Sequence, residues 1–455
     1  MPSGTGARGG VREPTAPAAS RRGARTAGVV IEMMTPRGRF AAVLVAGIVG
    51  LAACSGSPSP SPAPSVIRVL GSWEGPEIDA FRAAVKPFEA QTGYSVVVST
   101  TRDLKGALER SFEVGDPPDL AGLPGPGYML ELVRQGKLVN LADVIDTGTY
   151  LSETAPGFVD IGTVEGKLAG VFMKATVKGL FWYNPEVIQP GEPESWDDFQ
   201  HDAVTGHGGI APWCIGLASD AASGWPGTDW VEDFVLRQSG PQVYDDWVAG
   251  RVRWSSPEIR RAFRSFGTVI DDADVAGGIE GVLRTHFSRA GDGLFTDPPK
   301  CLFAHQATFM STFLDEVVSK HGDRYDFIPF PDVEPRYSGA LIGAGDLFAL
   351  SNDTPGGRDL IRYLVSPQAQ QLLVQHGGAL SGNLRVIAYP DDLARRQAAL
   401  LASAKILRFD ASDSMPDVMN EAFWQAILDF TADESQLDRI LAQLDAVQAV
   451  AYSQE

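Results

Sequence analysis

Polar and apolar positions change period repeatedly from residue 66 onward. "VIRVLGSW" is a short β-rich run. In the following "PEIDAFRAAVKPFEAQTG", Ile78, Phe81, Val85 and Phe88 fall on one helical face and Gly93 supplies a C-terminal stop. "YSVVVST", a helix over "LKGALERSFEVG", the apolar "PDLAGL" and a helix over "GYMLELVRQGKLV" continue the alternation. A β-α-β-α-β order predicts a parallel sheet covered by helices, with ligands at the carboxyl ends of the strands.

Beyond this the order becomes mixed. "TVEGKLAGVF" reads as a hairpin turning at Glu165 and Gly166. "SWDDF" opens a helix with Ser195 as N-cap and Asp198 three residues on. "SPEIRRAFRSFGTVI" puts Ile259, Phe263, Phe266 and Ile270 on one stripe. "KCLFAH" and "YDFIPFP" are strand-like, and "SGALIGAGDLFALS" precedes one long helix over "GGRDLIRYLVSPQAQQLLVQHG". No repeat of fixed period stands out, and no stretch after Cys54 is long enough to span a bilayer.

The amino-terminal segment has a different character. "MMTPRGRFAAVLVAGIVGLAAC" combines basic Arg37 and Arg39, an apolar run from Phe40 to Gly50 and small residues before Cys54, the pattern of a secretory signal. Residues 1–53 are therefore expected to be removed, with Met33 and Met34 both acceptable as the true start. "Leu51-Ala52-Ala53-Cys54" resembles a bacterial lipobox, which implies a lipidated, palmitate-type N-terminus at Cys54 and a membrane anchor; an ordinary signal-peptidase site is the alternative. Residues 54–65 then form the modified cysteine and a Ser/Pro tether. Its eleven residues after Cys54, extended at about 3.1 Å each, span roughly 34 Å. Cys214 and Cys301 remain. In an oxidising compartment an isolated pair points to a disulfide, two buried free thiols being the alternative.

Composition supports a globular body, with 44% hydrophobic and 21% charged residues in 455. The formal charge is −19, and −24 once the seven Arg and two Glu of residues 1–53 are set aside. That balance argues against a nucleic-acid footprint and gives no support for a polybasic membrane patch. Enzyme signatures are missing: there is no G-x-S-x-G elbow, H-E-x-x-H or Walker loop, and "GAGDLF" lacks the last glycine of a dinucleotide loop. The six His show no ligand spacing, so neither a metal nor another cofactor is expected.

The positive signal is a resemblance. "LGSWEGPEIDAFRAAVKPFEAQTGYSV", "GDPPDLAGLPGPGYMLELVRQGKLVNLADV", "GVFMKATVKGLFWYNPEVI" with "PESWDDF", and "GALIGAGDLFALSNDTPGGRDLIRYLVSPQAQQLL" resemble, in order, the hallmarks of extracellular solute-binding proteins of carbohydrate ABC importers. "APWCIGLASDAASGWPGTDW" with "PPKCLFAHQATFM" is similar to the α-glucoside branch. The resemblance implies an α/β fold of two lobes joined by crossing segments, closing by a hinge over a solute. Residues 66–176 with 301–335 are expected in the first lobe and 177–300 with 336–455 in the second.

Position by position, the resemblance implies a ligand-binding set of Ser72, Trp73, Glu74, Asp119, Lys174, Thr176, Trp225, Asp229, Trp230, Gly345 and Asp346. Each has a plain alternative: Trp73 as core, Asp229 as an N-cap, Asp119 as a turn residue. Trp182 and Tyr183 are expected to be structural. Lys174, a cation where small or neutral residues are common, either pairs with a cleft carboxylate or recognises an anionic solute. The implied function is capture of a sugar or oligosaccharide outside the membrane and delivery to permease subunits, by a monomer that performs no chemistry. An exported glycan-cleaving enzyme using two cleft carboxylates, and a sugar sensor or adhesion module without a transporter, are the alternatives.

Overall fold

The computed structural model describes residues 65–453, apart from 192, 206–207, 322–323 and 377. The signal segment, Cys54 and the tether up to residue 64 lie outside the described residues. β1 (Val66–Gly71), β2 (Ser95–Thr100) and β3 (Leu120–Leu123) are connected through the helices Pro76–Thr92 and Leu104–Glu113. They are parallel, with β1 between the other two. After the helix Pro126–Arg134, the small hairpin β4 (Thr163–Val164) and β5 (Lys167–Leu168) turns through Glu165 and Gly166, both at positive φ of 47° and 74°. Two positive-φ residues in a two-residue turn match the right-handed twist of the flanking strands. β6 (Val171–Val177) follows.

The chain then crosses to a second sheet, ordered β10-β7-β9-β8, made of β7 (Leu180–Tyr183), β8 (Ala211–Cys214), β9 (Cys301–Gln306) and β10 (Asp326–Pro329). A second crossing leads to β11 (Ala340–Leu350), which returns to the first sheet and pairs antiparallel with β3 and β6. β12 (Ile406–Phe409) lies parallel to β11. A third crossing at Asp410 enters the helices Asp417–Ala432 and Leu437–Ala451, whose apolar faces pack with the second sheet's helices.

This topology corrects the lobe boundaries. Residues 301–306 and 326–329, expected in the first lobe, are strands of the second sheet, and residues 340–350, expected in the second lobe, form the long strand of the first. The single long helix after residue 355 is also two helices, Pro355–Leu364 and Pro367–Gln375. Pro367 has no N–H for the ladder and disfavours helical backbone in the residue before it, while Ser366 Oγ accepts from Ala369 N and caps the second helix.

Each lobe has its own core. Ile67, Val69, Phe81, Val85, Phe88 and Phe348 fill the first. The second is aromatic, with Phe181, Trp196, Phe199, Trp213, Trp230 and Phe234 in mutual ring contact, and it also takes Ile259, Phe263, Phe266 and Ile270 from the expected stripe. Ser195 caps its helix by accepting from Asp198 N. Trp182 is fully buried and donates to the Gln306 carbonyl at 3.2 Å, a structural role. Cys214 and Cys301 are disulfide-bonded, Cα to Cα 5.5 Å, tying β8 to β9.

Candidate functional site

Between the two sheets lies a cavity of about 430 Å³. It lies past the carboxyl end of β1, where parallel strands present loop residues to ligands, and along the middle of β11 and the later part of β6. Its wall takes Ser72, Trp73, Glu77 and Arg102 from the first lobe, Trp225 and Phe287 from the second, and Lys174, Thr176, Lys178, Gly345 and Asp346 from the crossing strands. The size is within the range of small-molecule sites.

Two lysines on the first crossing organise the polar wall. Lys174 and Asp346 are cross-strand partners at a β-bulge between β6 and β11, which turns both inward. The Lys174 ammonium is ion-paired with Glu77 and lies 3.8 Å from Asp346. Burial pulls its proton affinity down, and the two carboxylates more than offset this, so it stays charged. Burial in turn holds Asp346 above the usual carboxylate range. Lys178, just past β6, is ion-paired with Asp410 and hydrogen-bonds Asp229 at 2.7 Å. Asp229, Glu232 and Asp410 converge closely enough to suit a cation, and the buried Lys178 ammonium takes that place. Glu232 in turn accepts from the Ala411 and Ser412 N–H groups at 2.9 and 3.1 Å. One buried network thereby fixes the first and third crossings to the helix Trp225–Ser239.

Cations also lie over the aromatic faces. Lys178 sits 5.3 Å from the Trp225 ring centroid, Lys174 5.3 Å from Phe309, and Arg102 5.4 Å from Phe287. Burial lowers the proton affinity of Arg102, whose Nη1 donates to the Ser72 carbonyl at 2.7 Å. Asp413, half-buried beside Asp410, is pushed up to about 7, first by desolvation and then by that neighbour's charge.

Of the residues expected from sequence, Ser72, Trp73, Lys174, Thr176, Trp225, Gly345 and Asp346 meet at this wall. Trp73 does so as part of the core: its indole is 7% exposed and stacks on Phe81 and Phe348 at 5.2 and 5.3 Å. Glu74 stands behind the wall, 3.9 Å from Arg102 and 3.8 Å from His286. Asp119 lies outside the cavity wall and organises a turn, accepting from Arg68 N and Thr354 Oγ1 at 2.8 Å each. Asp229 is inside its helix, which starts at Trp225, so it is no N-cap and serves Lys178. Trp230 belongs to the aromatic core, its ring 4.1 Å from that of His305. Lys174 is committed to carboxylates, which removes the motive for an anionic solute.

Sequence reasoning missed one complete side of the cavity. Asp417, Asn420, Glu421, Trp424 and Gln425 line it from the helix Asp417–Ala432. The spacing i, i+3, i+4, i+7, i+8 is one helical face, and "DVMNEAFWQ" carries that polar stripe openly. Opposite are Lys105 and Tyr128 of the first lobe. Lys105 Nζ is 2.5 Å from Asp417 and 3.7 Å from Glu421, so this ion pair bridges the two lobes.

The comparisons agree with this architecture. The family model for bacterial extracellular solute-binding proteins matches residues 83–402. The osmoprotective compounds-binding protein GgtB of Synechocystis sp. is 35% identical over 383 residues, covering 82% of this chain and 90% of that protein. The alpha-glucosides-binding periplasmic protein AglE of Rhizobium meliloti is 32% identical over 392 residues, covering 82% and 84%. Among solved structures, a chitin oligosaccharide binding protein superposes with a TM-score of 0.72 at 16% identity, over 86% of this chain and 99% of that one. Maltose-bound MalE3 of T. maritima gives 0.67 at 16%, over 85% and 99%. At such identities the likeness establishes the fold, two α/β lobes with a cleft between them. The family match runs through strands of both sheets and across the walls of the cleft: the chain belongs to the bacterial extracellular solute-binding proteins, which act outside the cytoplasm.

Proposed function

We propose that this protein is the lipid-anchored receptor of an ABC importer, capturing a sugar or short oligosaccharide, of the α-glucoside class, and presenting it to permease subunits as a monomer. The observation that carries the reading is the interlobe cleft, in which aromatic faces and a rim of ion-paired carboxylates and amides stand together. A pyranose has apolar C–H faces that suit rings and hydroxyls that suit such polar groups. The names of two relatives, one binding alpha-glucosides and the other osmoprotective compounds, support the same class. Charge narrows it further. Each cation over an aromatic face occupies the position a quaternary ammonium would take, and Lys174, Lys178 and Lys105 are each matched by two carboxylates. An uncharged polyol-like solute fits this balance better than an anion or a betaine.

The test is thermal. A ligand at about 100 times its Kd stabilises by roughly 2.7 kcal/mol, which raises the Tm of a chain this size by about 3 °C. An α-linked disaccharide is expected to produce that shift in the wild type, and Trp225→Ala to remove it while leaving the unliganded melt near wild type. Trp73→Ala is the wrong probe, because loss of a core indole costs about 3–5 kcal/mol by itself. A shift from glycine betaine, an amino acid or a peptide, with none from any sugar, overturns the assignment. Release of monosaccharide from an oligosaccharide during incubation overturns the receptor reading in favour of a hydrolase.

A further inference from the structure

Three carboxyl groups and one ammonium share a buried space where the first and third crossings meet the helix Trp225–Ser239. Asp229, Glu232 and Asp410 are each at most 1% exposed, and one oxygen from each lies within 4.8 Å of the others. Lys178 is the cation among them. The other groups facing this space do not restore the balance. Asp233, on the same helix, is taken up by Arg237 and by His305 Nε2 at 2.9 Å, and Tyr244 of the helix Pro241–Val248 is neutral and donates to the Phe409 carbonyl at 3.0 Å. Asp413, on the third crossing, adds a further acid. Fully ionised, three carboxylates would face one ammonium, and such a buried excess of one sign is relieved by keeping a proton.

Hydrogen bonds locate that proton. Glu232 accepts from Ala411 N through Oε2 at 2.9 Å and from Ser412 N through Oε1 at 3.1 Å. Asp410 Oδ1 accepts from Ser412 Oγ and Asp413 N, each at 2.8 Å, and its Oδ2 is bonded to Lys178. Every oxygen of these two meets a donor, which favours the ionised form. Asp229 Oδ1 accepts from Lys178 at 2.7 Å, but its Oδ2 is buried with no donor to it. A carboxylic O–H in that position costs far less than a bare carboxylate oxygen. Burial raises Asp229 and Glu232 alike, so the oxygen without a donor decides between them. We infer that Asp229 is a carboxylic acid with its proton on Oδ2, and that it is a positioning residue for the solute wall, acting through Lys178. The Lys178 ammonium lies 5.3 Å from the Trp225 ring centroid, and both side chains line the cavity. Held by an acid and a carboxylate together, Lys178 keeps its place over that ring; the positioning role rests on the carbohydrate reading above, the protonation does not.

Infrared difference spectra of the full chain test this at pH 8, above the value of about 7 at which Asp413 titrates. Wild type minus Asp229→Asn is expected to show the carbonyl stretch of one protonated carboxyl; no such band means that all three groups are ionised and overturns the assignment. Urea midpoints then place the proton. Asparagine at 229 offers Lys178 the same acceptor and puts an N–H where the O–H was, so Asp229→Asn is expected to keep the wild-type midpoint. Glu232→Gln sets a donor against the Ala411 and Ser412 N–H groups, and Asp410→Asn sets one against its own donors, so both midpoints are expected to fall. A fall in Asp229→Asn as large as in those two, or failure of Asp229→Asn to fold, overturns the assignment. For the positioning role the probes are maltose, trehalose and sucrose, followed by tryptophan fluorescence. Asp229→Ala, which takes an acceptor from Lys178, is expected to weaken the sugar that binds the wild type about tenfold, and Asp229→Asn to recover most of that loss. Unaltered affinity in Asp229→Ala overturns the positioning role and leaves the protonation in place. Failure of all three sugars to bind the wild type removes that role together with the carbohydrate reading, and the infrared and urea results still decide where the proton sits.

Discussion

A single carboxylate shows how the cleft makes the protein sensitive to pH. Asp413 is half-buried at the cavity wall, and its folded-state pKa of about 7 stands above the ordinary aspartate value of 3.8. Between those values the folded protein holds a proton that the unfolded chain has released. Stability contributed by this group is therefore full below the lower value, falls as pH rises through the window, and is flat above about 7. Asp413→Asn mimics the protonated form, so urea midpoints measured from pH 4 to 8 are expected to fall less steeply than in the wild type and to end higher at pH 8. An unchanged slope would show that Asp229 and Glu232, whose buried carboxyls are also raised, account for the whole effect. At this scale the sequence was only partly legible. Lys174, Trp225 and Asp346 stand in segments whose order resembles the family. Lys178, four residues beyond Lys174, carries no sign in the sequence of its two buried carboxyl partners, because they come from positions 51 and 232 residues away.

At the level of elements, one tight crossing holds the lobes together. The helix Pro126–Arg134 of the first lobe lies directly on the residue 411–415 segment that enters the second, and a Cβ on Gly127 would overlap the Met415 carbonyl oxygen. Glu131 fixes the same junction by accepting from Asp417 N at 3.1 Å. Alanine at 127 improves helix propensity by up to about 1 kcal/mol, so the isolated helix gains while the contact between elements is pushed apart. Gly127→Ala is accordingly expected to lower the urea midpoint of the unliganded protein, because the added Cβ meets backbone that cannot yield cheaply, and to weaken solute binding by displacing the cavity wall built from residue 417 onward. An unaltered urea midpoint would mean that the helix and the 411–415 segment separate at no cost. Element types were readable from periodicity and caps: the Glu165-Gly166 hairpin, the Ser195 cap and the 259–270 stripe all stand where the pattern puts them. Sheet membership was not, since a strand's apolar run is the same whichever sheet it joins. That is why the strands at 301–306 and 326–329 belong to the other sheet than the pattern suggests.

The whole molecule sets a direction for the cleft. β1 is an interior strand of the first sheet, and its amino end, Val66, is the first residue after the Ser/Pro segment. Its carboxyl end delivers Ser72 and Trp73 to the cavity wall. Six residues of strand separate the two by about 20 Å, so Val66 lies at the end of β1 away from the cavity. No helix among the described residues is long and apolar enough to cross a membrane. Cys54→Ala is expected to move the protein from the membrane fraction to the medium with its solute affinity intact, read by immunoblot of the two fractions and by titration of the released protein. Retention in the membrane after the substitution would place the anchor elsewhere, and loss of affinity on release would mean that attachment, not only the fold from Val66 onward, shapes the cleft.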